Sequence, residues 1–514
     1  MRSSHFGYGL PARAPGLVPA VPWFGALSGR LPLPWFCARL RYRWWVVGTV
    51  CLGAFMGQLD ASIATLLIPT LRVAFHEHLA AVEWVAVSYL LALVSLVVMF
   101  GRLADMFGRK ALYTLGFVVF TAGSAVCGAA GNLETLIAAR IVQALGAAML
   151  QANSVAIITQ AVDRSELGCA IGVQGAAQAV GLSVGPALGG FLISVLGWQW
   201  AFYINIPVGI VGTVLGAVVL PASKPAGKSE PFDWLGLTLF APGTAILMYL
   251  VTQGEARGWS SPGIVSLFGL SLALLCLFWL RERRARFPMI DLQLFSNRLF
   301  TASIVAGLLS YAVLFGALFL IPVFLERALG RSAETTGLTL TAVPIALALV
   351  APLAGRLADR FGSRGLTAGG MAVSAVALLL LEKVPAGAEA LLMAVLALFG
   401  LGLGAFTPPN NAAIMGAAPR HRLGVAGGVL NMTRGLGTTL GVVATGAVLA
   451  WRQQVYFQQW RPAEGDAVRY RVGGAFHDSV LFLLALAVLA CAISLVRGRA
   501  AILKTSPEHH QELL

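Results

Sequence analysis

Charge is scarce in this chain. Only 11% of its 514 residues are Asp, Glu, Lys or Arg, and the acids number 22. A soluble domain carries about 25% charged residues. The shortfall excludes the soluble protein of about three domains that length alone suggests. Cysteine is scarce too. Cys37, Cys51, Cys127, Cys169, Cys276 and Cys491 are scattered, mostly in or beside apolar runs. No pair has metal-ligand spacing and no disulfide framework is implied. All seven histidines lie at or outside the edges of apolar runs. No Ser/His/Asp, His-rich or paired-carboxylate constellation falls within those runs, so an enzyme is disfavoured and neither cofactor nor metal is expected. His76 and His78 flank Glu77, where a solvated loop accounts for them better than zinc.

What the chain has is apolar length. Hydrophobic residues make up 58% and mean hydropathy is +0.81. Fourteen runs have approximate cores at 45–71, 82–100, 111–130, 134–157, 168–196, 200–220, 234–252, 262–280, 299–325, 337–354, 365–381, 390–413, 424–450 and 479–496. Each is long enough to cross about 30 Å of hydrocarbon. Helices satisfy their own backbone there, so the fold class is an all-α polytopic membrane protein. The first run exceeds a signal-peptide core and no small-residue cleavage site follows, so it reads as an uncleaved span.

Of the 36 Lys and Arg, nine fall in the odd-numbered loops and two, Arg140 and Arg434, within spans, leaving 25 on the other side. That bias puts both termini in the cytoplasm. The net charge of +14 therefore reflects loops beside lipid, with no nucleic-acid partner implied.

The chain also repeats itself. Gly101-Arg102-Leu103-Ala104-Asp105-Met106-Phe107-Gly108-Arg109-Lys110 recurs, 254 residues on, as Gly355-Arg356-Leu357-Ala358-Asp359-Arg360-Phe361-Gly362-Ser363-Arg364. Gly181 and Gly185 match Gly437 and Gly441 at offset 256. Duplicated six-helix halves follow, with two inserted central helices. The expected divisions are a cytoplasmic extension over 1–43, the first half over 44–220, a link and two extra spans over 221–290, the second half over 291–497 and a tail over 498–514. Parallel repeats of this kind place a substrate path at their interface.

Asp60 and Arg140 are charges deep within apolar runs. A charge at the bilayer centre costs roughly 2.5 kcal/mol or more without a partner, water or a cavity. Counting about 1.5 Å per residue puts both at similar depth, so they are candidates for proton coupling. Offset 254 from Arg140 lands on Ala394, which confines this chemistry to the first half. Arg434, with Asn431 one turn before it, is a candidate for substrate contact, and Gln143, Gln151, Asn153, Gln174 and Gln178 are candidates to line the cavity. Asp60 is the single acid placed in the bilayer core. Neutral, zwitterionic or anionic amphiphiles thus suit at least as well as cations. In the loop motifs, Gly101, Asp105, Gly108 and Arg109, with Gly355, Asp359 and Gly362, form a candidate conformational gate. Asp105 can accept from a helix N-terminus or pair with an Arg. Gly181, Gly185 and Gly189 line one helix face, with Pro186 and Gly190 beside them, and let another helix approach closely.

These motifs resemble a known family. The Gly101–Lys110 segment resembles the loop signature of the major facilitator superfamily. Arg140-Ile141-Val142-Gln143-Ala144-Leu145-Gly146 is similar to its fourth-helix motif, with Ala144 where Gly is usual. Gly181-Leu182-Ser183-Val184-Gly185-Pro186-Ala187-Leu188-Gly189-Gly190 resembles its antiporter signature. Leu59-Asp60-Ala61-Ser62-Ile63 and Trp198–Gly209 resemble the fourteen-span drug:proton antiporters of the EmrB/QacA type. The resemblance covers about 44–497. It implies a proton-coupled exporter of small hydrophobic or amphiphilic compounds, with the lipid bilayer, a proton and the substrate as partners and a periplasmic adaptor as a candidate one. The compartment implied is the inner (plasma) membrane. A proton-coupled metabolite or organic-acid transporter is the alternative; a non-transport membrane protein would leave a buried Asp60 unexplained.

The orientation is open to cysteine labelling. In a chain otherwise free of reactive cysteines, an impermeant maleimide is expected to label a cysteine placed within 452–477 and to miss one within 281–298 until the membrane is permeabilised. The opposite pattern inverts the topology.

Overall fold

The computed structural model describes residues 42–222, 230–258, 261–385, 387–459 and 466–496. The expected N-terminal extension and C-terminal tail lie outside these, apart from residues 42 and 43. Fourteen long helices follow one another: α1 (Tyr42–Phe75), α2 (Trp84–Phe107), α3 (Arg109–Gly128), α4 (Leu133–Ala161), α5 (Leu167–Leu196), α6 (Asn205–Val219), α7 (Trp234–Arg257), α8 (Pro262–Arg284), α9 (Arg298–Arg327), α10 (Ala342–Phe361), α11 (Ser363–Leu381), α12 (Glu389–Ala417), α13 (Leu423–Gln459) and α14 (Asp466–Val496). Thirteen spans among the described residues are long and apolar enough to cross a membrane, the short helix Trp200–Tyr203 extending α6 and most of Ala333–Leu340 extending α10. The remaining expected span is α13. Its 37 residues are ample in length, but Asn431, Thr433, Arg434, Thr438 and Thr439 dilute its apolar character.

Local chemistry sets the helix boundaries. Asn132 caps α4 by accepting from the Thr135 amide, and Asn297 caps α9 through Leu299 and Phe300. Gly108 (φ 105°) separates α2 from α3, and Gly362 (φ 85°) separates α10 from α11. A side chain is strained at such angles, so glycine belongs at both sharp corners. Pro186 leaves α5 continuous from Leu167 to Leu196.

Packing follows the repeat. α1 packs on α5 as α9 packs on α13, α3 on α4 as α11 on α12, and α2 on α4 as α10 on α12. Between these two sets the principal contacts are α5 with α10 and α2 with α13, again a matched pair. The α7–α8 hairpin lies outside, packed through α7 on α2 and α13.

The matched interfaces close at the end that carries the loop motifs. A Cβ on Gly101 would lie 2.2 Å from the Gly424 carbonyl oxygen, and one on Gly355 would lie 2.0 Å from that of Gly168. Gly168 and Gly424 are themselves 256 residues apart. Only glycine admits these two backbone contacts. Overpacking costs roughly 1–3 kcal/mol, so Gly355→Leu is expected to part α5 from α10. The neighbouring Cys169 is 4% exposed and reports on this. Its alkylation should accelerate about tenfold, by mass-spectrometric mapping, since tenfold corresponds to about 1.4 kcal/mol. Gly365→Leu, with open space around it, should leave Cys169 protected; equal protection in both variants refutes the contact.

Candidate functional site

Three groups of sequence-identified residues come together, at different heights in the bundle.

The first is a buried charge cluster. Asp60 on α1 and Arg140 on α4 meet at 2.7 Å, with both side chains 1% exposed. The other Asp60 oxygen accepts from Gln143 Nε2 at 2.8 Å and Asn205 Nδ2 at 3.0 Å. Arg140 donates to Gln143 Oε1 at 2.6 Å and to the Val85 carbonyl at 3.2 Å, and lies 4.2 Å over the Tyr89 ring. Gln143 Nε2 also contacts Ser124 Oγ at 2.7 Å. Sequence reasoning put Gln143 in the substrate cavity; it belongs to this cluster instead, because it sits one turn after Arg140 on the same face. Asn205, Ser124 and Tyr89 were missed. An isolated amide at the start of a span was the available signal for Asn205.

The glycine face of α5 presses on the α1 segment that carries Asp60. A Cβ on Gly181 would meet the Phe55 carbonyl at 2.7 Å, one on Gly185 would meet Ser62 Oγ at 2.5 Å, and one on Gly189 would meet Ile63 at 3.0 Å. Ser62 Oγ donates to the Leu182 carbonyl at 3.0 Å. Gly190 faces open space and takes no part in this contact. In the second half, Gly437 and Gly441 press the same way on Leu308, Tyr311 and Ala312 of α9.

The second group is the candidate gate. Asp105 accepts from the Gly424 and Val425 amides at 2.9 and 3.0 Å. Asp359 accepts from the Gly168 and Cys169 amides at 2.8 and 3.0 Å. Each aspartate thus caps the N-terminus of a helix in the opposite half, where orphan donors and the helix dipole favour a negative charge. Arg109 strengthens one side only, bonding Asp105 at 2.7 Å and the Arg420 carbonyl at 3.0 Å. Its repeat counterpart is Ser363. Glu230, in the link before α7, adds ion pairs to Arg102 and to Arg422, which also contacts Asp291.

The third is a narrow cavity between the halves. Its lining includes Gln174 and Gln178 from α5, Tyr311 from α9, Asn411 from α12, and Asn431 and Arg434 from α13. Arg434 donates to Gln178 Oε1 and lies 5.4 Å over the Tyr311 ring. Gln151 and Asn153, expected at the cavity, are not in its lining. The Asn153 amide turns back to the Met149 carbonyl, and Gln151 offers only its backbone carbonyl to Asn431. Besides Asp60, the acids Asp105, Asp233 and Glu282 are buried. All three lie at or beside helix ends: Asp105 and Asp233 accept from first-turn amides, Glu282 accepts from the Met289 and Ile290 amides after α8, and none lines the cavity.

The sequence matches the family described as Major Facilitator Superfamily over residues 50–316 and 299–497. The chain belongs to the Major Facilitator Superfamily. Its curated relatives include the riboflavin transporter RibZ of Clostridioides difficile, 35% identical over 78% of this chain and 87% of that protein. The multidrug resistance protein Stp of Mycobacterium tuberculosis (strain CDC 1551 / Oshkosh) is 33% identical, covering 78% and 74%. The methylenomycin A resistance protein of Bacillus subtilis is 32% identical, covering 79% and 87%. Among solved structures, the human organic anion transporter MFSD10 superposes with a TM-score of 0.61 at 15% identity, covering 89% of this chain and all of that one. Membership of the Major Facilitator Superfamily makes the chain a multi-pass membrane transporter, in the company of drug-resistance proteins, and not an enzyme.

The charge cluster makes a stability prediction. Removing one member of a buried pair leaves the other uncompensated, at roughly 3–5 kcal/mol. Arg140→Ala is therefore expected to lower the thermal unfolding midpoint in detergent well below that of Arg140→Lys. Adding Asp60→Asn to Arg140→Ala should recover part of the loss. Simple addition of the two losses would show that the groups are not coupled.

Proposed function

We propose that this transporter exports small hydrophobic or amphiphilic compounds in exchange for protons. The observation that carries this reading is the contact of the α5 glycine face with the Asp60 turn of α1. α5 also lines the cavity through Gln174 and Gln178, so one helix touches both the ionisable cluster and the substrate space. Rocking of the halves moves α5 against α10, and the same movement alters the setting of Asp60.

The cycle runs as follows. With the cytoplasmic ends latched by Asp105 and Asp359, Asp60 is held by Arg140, Gln143 and Asn205. A proton taken from the outer side weakens its hold on Arg140, because a neutral carboxyl makes no ion pair. Separation of the latches opens the cavity inward, the proton leaves and substrate enters. Restoring the Asp60–Arg140 pair favours return to the outward-facing form. The membrane potential adds roughly 2.3 kcal/mol per proton per 100 mV. Both termini lie in the cytoplasm and the protein sits in the plasma membrane, the inner one where there are two. A periplasmic adaptor is compatible with this arrangement and not required by it.

Relatives named for multidrug and antibiotic resistance support export of drug-like compounds. The relative named for riboflavin transport supports a second reading, in which the cargo is a metabolite of similar amphiphilic character. The two share one coupling scheme.

Asp60→Asn tests the coupling. In proteoliposomes it is expected to abolish export driven by a pH gradient and to retain substrate counterflow without one. Undiminished proton-driven flux in this variant would remove Asp60 from the proton path.

A further inference from the structure

We propose that the cavity between the halves binds an organic anion, with Arg434 as its counter-charge and Gln174 as a second hydrogen-bond donor. This rests on reading that cavity as the substrate site and adds the charge of the substrate.

Arg434 is the one charged side chain in the lining. No carboxylate pairs with it among the described residues. It bonds instead to a neutral acceptor, Gln178 Oε1, over the Tyr311 ring. A guanidinium has five N–H donors, so its charge and most of its donors are not answered by an anion of the protein. Gln178 and Arg434 are 256 residues apart, the offset that relates Gly181 to Gly437. Each lies eleven residues into its helix, α5 or α13, or roughly 16 Å along it. Their bond therefore joins equivalent points of the two halves across the repeat axis.

Gln174 supplies the second observation. It lies one turn before Gln178 on the same helix face. Its side chain is buried, 2% exposed, lines the cavity, and its Nε2 has no acceptor. A buried donor left unmet is costly, and such groups mark places where an acceptor belongs. Asn431 Nδ2 is already committed to the Gln151 and Gly427 carbonyls, so Arg434 is the charged donor of the lining and Gln174 its fully buried unmet one. Val155, Ile171 and Leu347 line the rest. The fitting ligand is an amphiphile with an apolar body and a carboxylate, sulfonate or comparable anionic head. A carboxylate brings a full opposite charge and two oxygens that match the guanidinium fork, which a single neutral amide oxygen lacks, so the head displaces the Gln178 oxygen from Arg434. The anion then bonds one donor from each half.

Calorimetric titration of the purified full chain tests this without any proton gradient. The probes share one ring: naphthalene-2-carboxylate, naphthalene-2-carboxamide and trimethyl(2-naphthyl)ammonium. The carboxylate is expected to bind at least about tenfold more tightly than the ammonium. Arg434→Gln should erase that preference and Arg434→Lys should retain it. Gln174→Leu should weaken the carboxylate several-fold and leave the ammonium unchanged. Each variant is first shown to be monodisperse. Tighter ammonium binding, an anion preference that survives Arg434→Gln, or no saturable binding of the carboxylate overturns the proposal. An anion preference that persists alongside a failure of proton coupling would overturn the exporter reading alone.

Discussion

Both oxygens of Asp60 are met inside the bundle, one by Arg140 and the other by Gln143 and Asn205. The surroundings of this pair follow from that need. Hydrocarbon supplies no hydrogen bonds, so every charge placed in it must be answered by the protein. Arg140 is held by the Val85 carbonyl and the Tyr89 ring, and Gln143 bridges the acid, the base and Ser124. Residues from α1, α2, α3, α4 and α6 are thereby fixed around one carboxylate. A group bound this completely can exchange its partners only if some helix moves. The glycine face of α5, pressed on Phe55, Ser62 and Ile63, is the neighbour able to do so.

The same electrostatic economy operates at the gate in a different form. Asp105 and Asp359 each meet two terminal amides of a helix in the opposite half. A latch built from backbone amides tolerates many side chains on the helix it grips. It requires glycine at the crossing, and Gly101, Gly168, Gly355 and Gly424 meet that requirement. In the proposed cycle this latch, with its discrete partners, is the bistable element a rocking transporter needs. It is stronger in the first repeat, where Arg109 reinforces the aspartate and Ser363 offers no equivalent. Glu230 and Asp291 extend the first side with ion pairs that tie the inserted hairpin to it.

The all-α class and the repeat were legible because periodic apolar length and a ten-residue duplication are local signals. The meeting of Asp60 with Arg140 was legible because depth can be counted along helices whose direction alternates. Other features were hidden for identifiable reasons. Gln143 looked like a cavity amide, since a sequence gives the face of a helix but not which neighbour lies on that face. Asp233 and Glu282 flank apolar runs, and no sequence signal marks them as buried, because the amides of Gly236 and Met289 that meet them are placed only by the fold. α13 reads as apolar by count and carries polar groups toward the cavity, so a span lining it has a weaker hydropathy signature than one facing lipid.

The repeat offset relates more of the molecule than its glycines. Offset 256 relates Gly168 to Gly424 and Gln178 to Arg434 as well as the glycines that revealed it. Residues related in this way stand opposite each other wherever they approach the repeat axis. An exchange of Gln for Arg at such a place breaks the symmetry where the halves meet. Duplication left the scaffold symmetric, as the gate and the glycine faces show. Asp60 with Arg140 in one half and Arg434 in the other are departures from it. A buried acid held by an arginine and a cation that faces the cavity thus lie in opposite halves. A movement that displaces one half against the other must change the surroundings of both.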